Sequence, residues 1–145
     1  MTQRLDMHEQ IPGFYKAMVA LEHEAKNSSI ETGLFHLMKL RASQLNHCAF
    51  CTNMHTEEAL HDGVDPRKIY LLTVWEESWL FSDRERAALA WTESVTLIAE
   101  TGVPDEDYEA VREVFSEKEV AELTGIICAI NVWNRLAVSS RQPHK

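Results

Sequence analysis

Two Ser-x-x-Glu sequences, Ser82 to Glu85 and Ser116 to Glu119, constrain the fold of this chain most strongly. In such a pattern the serine side chain accepts a hydrogen bond from the glutamate backbone N–H, and the glutamate side chain accepts one from the serine backbone N–H. Each pattern therefore marks the start of a helix. Apolar residues recur at helical spacing after both, and no stretch alternates with the period of two that is typical of a half-buried strand. The sequence therefore predicts an all-α fold.

Turn residues divide the remaining chain into further helices. The predicted helices cover residues 12–26, 31–44, about 48–61, one or two short helices within 67–79, 82–101, 104–115 and 116–139. A chain of 145 residues that is 45% hydrophobic can bury one sizeable core. We therefore expect about six or seven helices in a single domain of residues 11–145, preceded by a flexible N-terminal arm at residues 1–10.

Charge and hydropathy limit the partners. The net charge of −9 argues against nucleic acid or an anionic membrane as partner, because both require basic surface. No apolar run is long enough to cross a bilayer, and the N-terminus lacks the apolar region of a signal peptide. These features predict a cytoplasmic protein, in which a Cys-x-x-Cys pair indicates redox or metal chemistry rather than a structural disulfide.

The candidate site is the sequence Cys48-x-x-Cys51-x-x-x-His55. At about 100° per residue these three positions fall within an arc of roughly 60° on one helix face. If the helix begins after His47, Cys48 lies at its positive end, which favours thiolate. His55 follows Cys51 by one turn and is placed to take its proton. We therefore predict a reactive thiol pair with a base, and the residues alone leave open two other interpretations.

In the first, the cysteines are small buried hydrophobic residues. In the second, they bind zinc together with His55 and with His47 or His36 as a fourth ligand, although three ligands from one helix are geometrically awkward. His36 precedes Cys48 by twelve residues and reaches the thiols as a proton partner only if the chain bends between two packed helices. Otherwise it is a buried histidine bonded to a backbone carbonyl.

Four residues of the last helix also need an explanation. Cys128 has no charged neighbour or histidine at helical spacing on its N-terminal side, so we expect it to be an inert core residue. Asn131, Asn134 and Arg135 interrupt an apolar helix and need polar partners, either at a wall of the site or at a subunit interface.

Three segments carry a family resemblance: residues 40–55 with the Cys-x-x-Cys-x-x-x-His core, residues 81–93 and residues 130–136. They resemble the AhpD-like alkylhydroperoxidases of the carboxymuconolactone decarboxylase superfamily. The resemblance implies an AhpD-like helical fold, trimers or hexamers, and peroxidase or disulfide-reductase activity. By matching positions, Cys51 would attack the peroxide, Cys48 would resolve the sulfenic acid as a disulfide, and His55 would belong to the proton relay.

One position departs from this family. Where its members usually have a relay glutamate, twelve residues before the first cysteine, this chain has His36. An imidazole can shuttle a proton but supplies no fixed negative charge, so another carboxylate such as Glu93 is expected to take that role.

The resulting hypothesis is a thiol-dependent peroxidase that needs no bound cofactor. Its partners would be a hydroperoxide substrate and an external dithiol or protein electron donor. The alternatives are a disulfide reductase that recharges a partner peroxiredoxin and a non-enzymatic zinc-binding module.

Overall fold

The computed structural model describes residues 2–144, and every regular element in that range is helical. Within these described residues there are nine α-helices: α1 (Met7–Gln10), α2 (Pro12–Lys26), α3 (Thr32–Leu45), α4 (Ala49–His61), α5 (Pro66–Leu71), α6 (Asp83–Thr96), α7 (Ile98–Thr101), α8 (Asp105–Arg112) and α9 (Glu117–Ser140). A 3₁₀ helix, Leu72–Glu77, follows α5. The helices form one domain, which confirms the predicted all-α class.

The predicted number of six or seven helices is wrong for the described range. The short helix α1 lies inside the segment predicted to be an arm. The helix predicted to run to residue 101 divides at Leu97, whose ψ of 34° ends α6 before α7 begins. The additional helix and the break at Leu97 are both local features of the backbone that the apolar pattern does not record.

Both predicted capping boxes are present. The Ser82 and Ser116 hydroxyls accept the N–H groups of Glu85 and Glu119, each at 3.2 Å. In return the two glutamate carboxylates accept the serine N–H groups, each at 2.8 Å. The starts of α6 and α9 are therefore fixed by local hydrogen bonds, as the sequence predicts.

Helix α3 is the central element and packs against α4, α6 and α9. It is buried on most sides, and Leu37, Met38 and Leu40 are at most 1% exposed. Burial of such side chains contributes about 1.5–3 kcal/mol each. Because α3 borders α4 along its length, polar side chains on α3 lie close to the cysteine-bearing helix.

Cys128 is exposed, so its predicted place in the core is wrong. Its neighbours Ile126, Ile127 and Ile130 are at most 1% exposed and define the inner face of α9. Cys128 lies on the opposite side together with Gly125, which is also exposed. Apolar composition identified this helix as largely buried, but its rotation about its axis depends on the packing of α3 and α6.

The N-terminal segment contacts the end of α9, where the Arg4 N–H donates to the Ser140 carbonyl at 2.8 Å. The flexibility of residues 1–10 stays a prediction. Among residues 2–144, no helix is both long enough and apolar enough to cross a membrane.

Candidate active site

The cysteine pair lies at a bend between α3 and α4. His47 has a φ of 53°, in the left-handed region, and this turns the chain out of α3. Cys48 becomes the N-cap of α4, and its sulfur accepts the N–H of Cys51 at 3.2 Å. The two sulfurs form a disulfide across Cα atoms 5.4 Å apart. The predictions that α4 begins after His47 and that the two sulfurs lie together are therefore confirmed.

Polar residues of α9 hold this bend in place. The Asn46 side-chain amide donates to the side-chain oxygens of Asn131 at 3.0 Å and Asn134 at 2.9 Å. Asn134 in turn donates to the Ser43 hydroxyl at 3.0 Å, and Arg135 donates to the Asn131 side chain at 2.8 Å. Of the two roles left open for these residues, the contacts favour a wall that supports the site.

His55 is 2% exposed and faces Glu58, with 2.9 Å between Nδ1 and Oε2. Because an ionised carboxylate only accepts hydrogen bonds, Nδ1 carries the proton and Nε2 is left as an acceptor. Nε2 is buried and has no hydrogen-bond partner among the described residues. The arrangement therefore provides a base oriented by a carboxylate.

Electrostatics favour a neutral imidazole. Burial lowers the pKa of His55, the hydrogen bond to Glu58 opposes this change, and the positive charge of Lys39 adds to it. The hydrogen bond from His55 lowers the pKa of Glu58 to about 2 despite partial burial. At neutral pH the pair therefore consists of a neutral histidine and an ionised glutamate, in which Nε2 is ready to accept a proton.

Cys51 and His55 line a cavity of about 270 Å³ between α2, α4 and α9. Its apolar lining residues are Met7, Tyr15, Phe50, Met54, Trp133, Leu136 and Ala137. Charged side chains of Glu22, Lys26, Lys39 and Glu58 also line it. The cavity thus combines apolar surface for the body of a small molecule with charged groups and the Cys51 sulfur.

Lys39 and Glu22 form a buried ion pair in this cavity. Lys39, on α3, is 1% exposed, and its ammonium lies 4.9 Å from the centre of the Phe35 ring. Burial lowers the pKa of Lys39, and the ion pair with Glu22 opposes that change. Neither residue was predicted from the sequence. A lysine flanked by Met38 and Leu40 was a usable signal, whereas Glu22 sits in a polar stretch that gives none.

Comparison with known proteins identifies the family. The sequence profile of the carboxymuconolactone decarboxylase family matches residues 12–94. The uncharacterised protein YdfG of Bacillus subtilis is 42% identical over 139 residues, which make up 96% of this chain and 95% of that protein. The chain belongs to the carboxymuconolactone decarboxylase family.

Solved structures place it among the AhpD-like members. One similar crystal structure is that of an Agrobacterium tumefaciens protein of unknown function, described as a putative antioxidant defence protein AhpD. Its sequence is 44% identical to this chain, the TM-score is 0.96, and the match covers 99% of both chains. The debrominase Bmp8 is 20% identical, has a TM-score of 0.83 and is matched over 92% of this chain and 72% of its own. At that identity Bmp8 supports the fold alone.

In this AhpD-like protein His36 lies away from the cavity of Cys51. Its Nε2 is 2.7 Å from an Asp62 carboxylate oxygen, directly after α4. It lines a second cavity of about 550 Å³, which neither cysteine borders. Glu58 borders both cavities. A role for His36 in proton transfer stays a prediction, and its ring is bonded to a carboxylate rather than to a backbone carbonyl.

Glu93, the expected substitute for the family's relay glutamate, accepts hydrogen bonds from Arg41 at 2.6 Å and Trp75 at 2.7 Å. The carboxylate that contacts His55 is Glu58. Sequence reasoning could have found it, because Glu58 follows His55 by three residues and therefore lies on the same face of α4.

The zinc alternative has no geometric support. Across residues 2–144, no three His, Cys, Asp or Glu side chains are placed to hold a metal ion. Both cysteine sulfurs are instead joined to each other.

Proposed function

We propose that this protein is a thiol-dependent peroxidase that reduces organic hydroperoxides through a Cys48–Cys51 dithiol and disulfide cycle. The observation that carries the proposal is that Cys51 and His55 line the wall of the same largely apolar cavity. The likeness to the structure described as a putative antioxidant defence protein AhpD supports it. The sulfurs themselves supply the two electrons, so no bound cofactor is required.

The first step consumes the hydroperoxide. Nε2 of neutral His55 accepts the Cys51 thiol proton, and Glu58 stabilises the resulting cation. The thiolate attacks the outer oxygen of ROOH, the O–O bond breaks, and Cys51 becomes a sulfenic acid. The RO⁻ group takes the proton back from His55 and leaves as the alcohol ROH.

The buried ion pair would assist this step. Negative charge develops on the leaving oxygen as the O–O bond breaks, and the Lys39 ammonium lines the same cavity. A fixed positive group in a site with little water stabilises such charge strongly. Glu22, bonded to the ammonium, would hold it in position.

The second step forms the disulfide. The Cys48 sulfur attacks the sulfur of the Cys51 sulfenic acid, the S–S bond forms, and hydroxide leaves with the Cys48 proton as water. The N-cap position of Cys48 favours its thiolate, because the positive end of α4 and the Cys51 N–H both stabilise negative charge there. An external reductant then returns the disulfide to two thiols.

The alternative of a reductase that recharges a partner peroxiredoxin is less well supported. Cys48 and Cys51 are only 2% and 1% exposed. A protein disulfide would have to reach buried sulfurs, whereas a small hydroperoxide fits a cavity of about 270 Å³.

We also propose a homo-oligomer. Trp79 and Tyr70 are 89% and 78% exposed. Large aromatic side chains at the surface are typical of protein interfaces. The predicted trimer or hexamer and the predicted cytoplasmic location stay predictions.

Stopped-flow tryptophan fluorescence tests the peroxidase proposal, since Trp133 lies in the cavity wall. Reduced protein mixed with cumene hydroperoxide should be oxidised faster than free cysteine at the same pH. Cys51→Ser should lose this reaction, and Cys128→Ser, on the outer face of α9, should keep the wild-type rate. Oxidation no faster than that of free cysteine, together with rapid oxidation by a protein disulfide, would favour the reductase instead.

A further inference from the structure

The two cysteines of the disulfide border different spaces. Cys51 and His55 line the apolar cavity, whereas Cys48 borders a surface cleft of about 550 Å³. The cleft is formed by the start of α4, the end of α9 and Arg4 of the N-terminal segment. A molecule in the cleft can therefore approach Cys48 without entering the cavity that Cys51 and His55 line.

The cleft is basic in an acidic protein. Its ionisable lining residues are Arg4, Arg141, His47 and His144, and no carboxylate is among the described residues that border it. The chain as a whole carries a net charge of −9. Arg4 is held at the edge of the cleft because its guanidinium donates to the Ser139 carbonyl at 3.3 Å. A basic cleft on an acidic surface concentrates anions.

The size of the opening limits what can react there. Cys48 is 2% exposed, so an attacking sulfur must be carried on a small molecule that enters the cleft. A dithiol embedded in a flat protein surface would not reach it. The volume of about 550 Å³ is sufficient for a molecule the size of a tripeptide.

We propose that this cleft binds a low-molecular-weight thiol that carries carboxylate groups, and that this thiol reduces the disulfide by attacking Cys48. The proposal rests on the peroxidase cycle above and assigns its electron donor to a chemical class.

The reduction consumes two molecules of the thiol RSH. The first thiolate attacks the Cys48 sulfur, an RS–S bond to Cys48 forms, the Cys48–Cys51 bond breaks, and Cys51 leaves as a thiolate into the cavity lined by Lys39 and His55. The second thiolate attacks the RS sulfur, which gives RSSR and releases the Cys48 thiolate. The two protons of the RSH molecules restore both protein thiols, and the two electrons that the protein gains are lost by the two RSH molecules as they are oxidised to RSSR.

Glutathione and glutathione monoethyl ester test the charge requirement, because they share one thiol and differ by one carboxylate. Rates of disulfide reduction in the oxidised wild-type protein are followed by tryptophan fluorescence. Each rate is divided by that of the same thiol with 2-hydroxyethyl disulfide, which corrects for intrinsic reactivity. Glutathione should react about threefold faster than the ester, as expected for one partly exposed ion pair. In about 1 M salt the ratio should approach one.

Variants locate the effect. Arg4→Gln and Arg141→Gln should each lower the glutathione-to-ester ratio, and Arg141→Lys should restore it because it keeps the charge. Lys16→Gln removes a positive charge from an exposed position of α2 and should leave the ratio unchanged. Equal rates for glutathione and its ester in the wild-type protein at low salt would overturn the proposal.

Single-cysteine variants test which sulfur is attacked. With glutathione disulfide, Cys51→Ser should form a mixed disulfide at Cys48 faster than Cys48→Ser forms one at Cys51, as measured by mass spectrometry. The reverse order would overturn the proposal. Failure of the peroxidase function would appear separately, as slow oxidation of reduced wild-type protein by cumene hydroperoxide with the glutathione preference intact.

Discussion

Replacing Lys39 by methionine tests the buried ion pair of the cavity. The Lys39 side chain is 2% exposed and that of Glu22 is 16% exposed, so the substitution leaves a largely buried carboxylate without its partner. Breaking a buried pair in this way costs about 3–5 kcal/mol, and the partial exposure of Glu22 favours the lower end of that range. Methionine has a similar volume, so no large cavity forms. Loss of the ammonium near Phe35 adds up to about 1 kcal/mol. We expect a total loss of about 3–4 kcal/mol.

The double variant Lys39→Met with Glu22→Gln removes both charges together. Its stability should lie within about 1 kcal/mol of wild type, because an uncharged pair of similar volume needs no ionic partner. The free energy of unfolding is measured by heat and by urea at pH 7 for four oxidised proteins: wild type, Lys39→Met, Glu22→Gln and the double variant. For a chain of this size, a loss of about 3 kcal/mol lowers Tm by roughly 6–12 °C.

A control variant and a test of additivity decide what the double-mutant cycle shows. Lys16→Met, at an exposed position of α2, should change stability by less than about 0.5 kcal/mol. If the two single substitutions in the pair instead add in the double variant, Lys39 and Glu22 are not coupled, and the account of the cavity's charged groups is wrong.

Two further predictions concern Glu58 and His36. The folded-state pKa of Glu58 is about 2 against an ordinary 4.5, so its stabilising contribution is complete above pH 4.5 and is lost as pH falls towards 2. The difference in urea stability between wild type and Glu58→Gln should shrink over that window, and a difference independent of pH would disprove the assignment. His36→Glu places a second carboxylate beside Asp62, so it should lower stability without raising the rate of peroxide oxidation. A faster stopped-flow oxidation would instead indicate a relay at position 36.

Much of the fold was predictable because its signals are local. The capping boxes at Ser82 and Ser116 and the proline and glycine turns fix most helix boundaries within a few residues. The grouping of Cys48, Cys51 and His55 was predictable for the same reason, since these residues come from one bend and one helix. Their spacing in sequence sets their spacing in space.

The charged groups around Cys51 come instead from packing. Lys39 on α3 and Glu22 on α2 meet only because both helices border the same cavity. The two residues are seventeen positions apart in the sequence, and no local pattern predicts that they form a pair. His36 shows the same dependence, because the angle between α3 and α4 brings it to Asp62.

The sequence by itself determined the helical class, the main helix boundaries and the thiol pair with its histidine, because those depend on neighbours along the chain. Only the tertiary structure decided that Cys128 faces outward, that Cys48 and Cys51 border different openings, and that Lys39 meets Glu22. These depend on how each helix is rotated and tilted against the others, and that is set by the joint packing of side chains from distant segments.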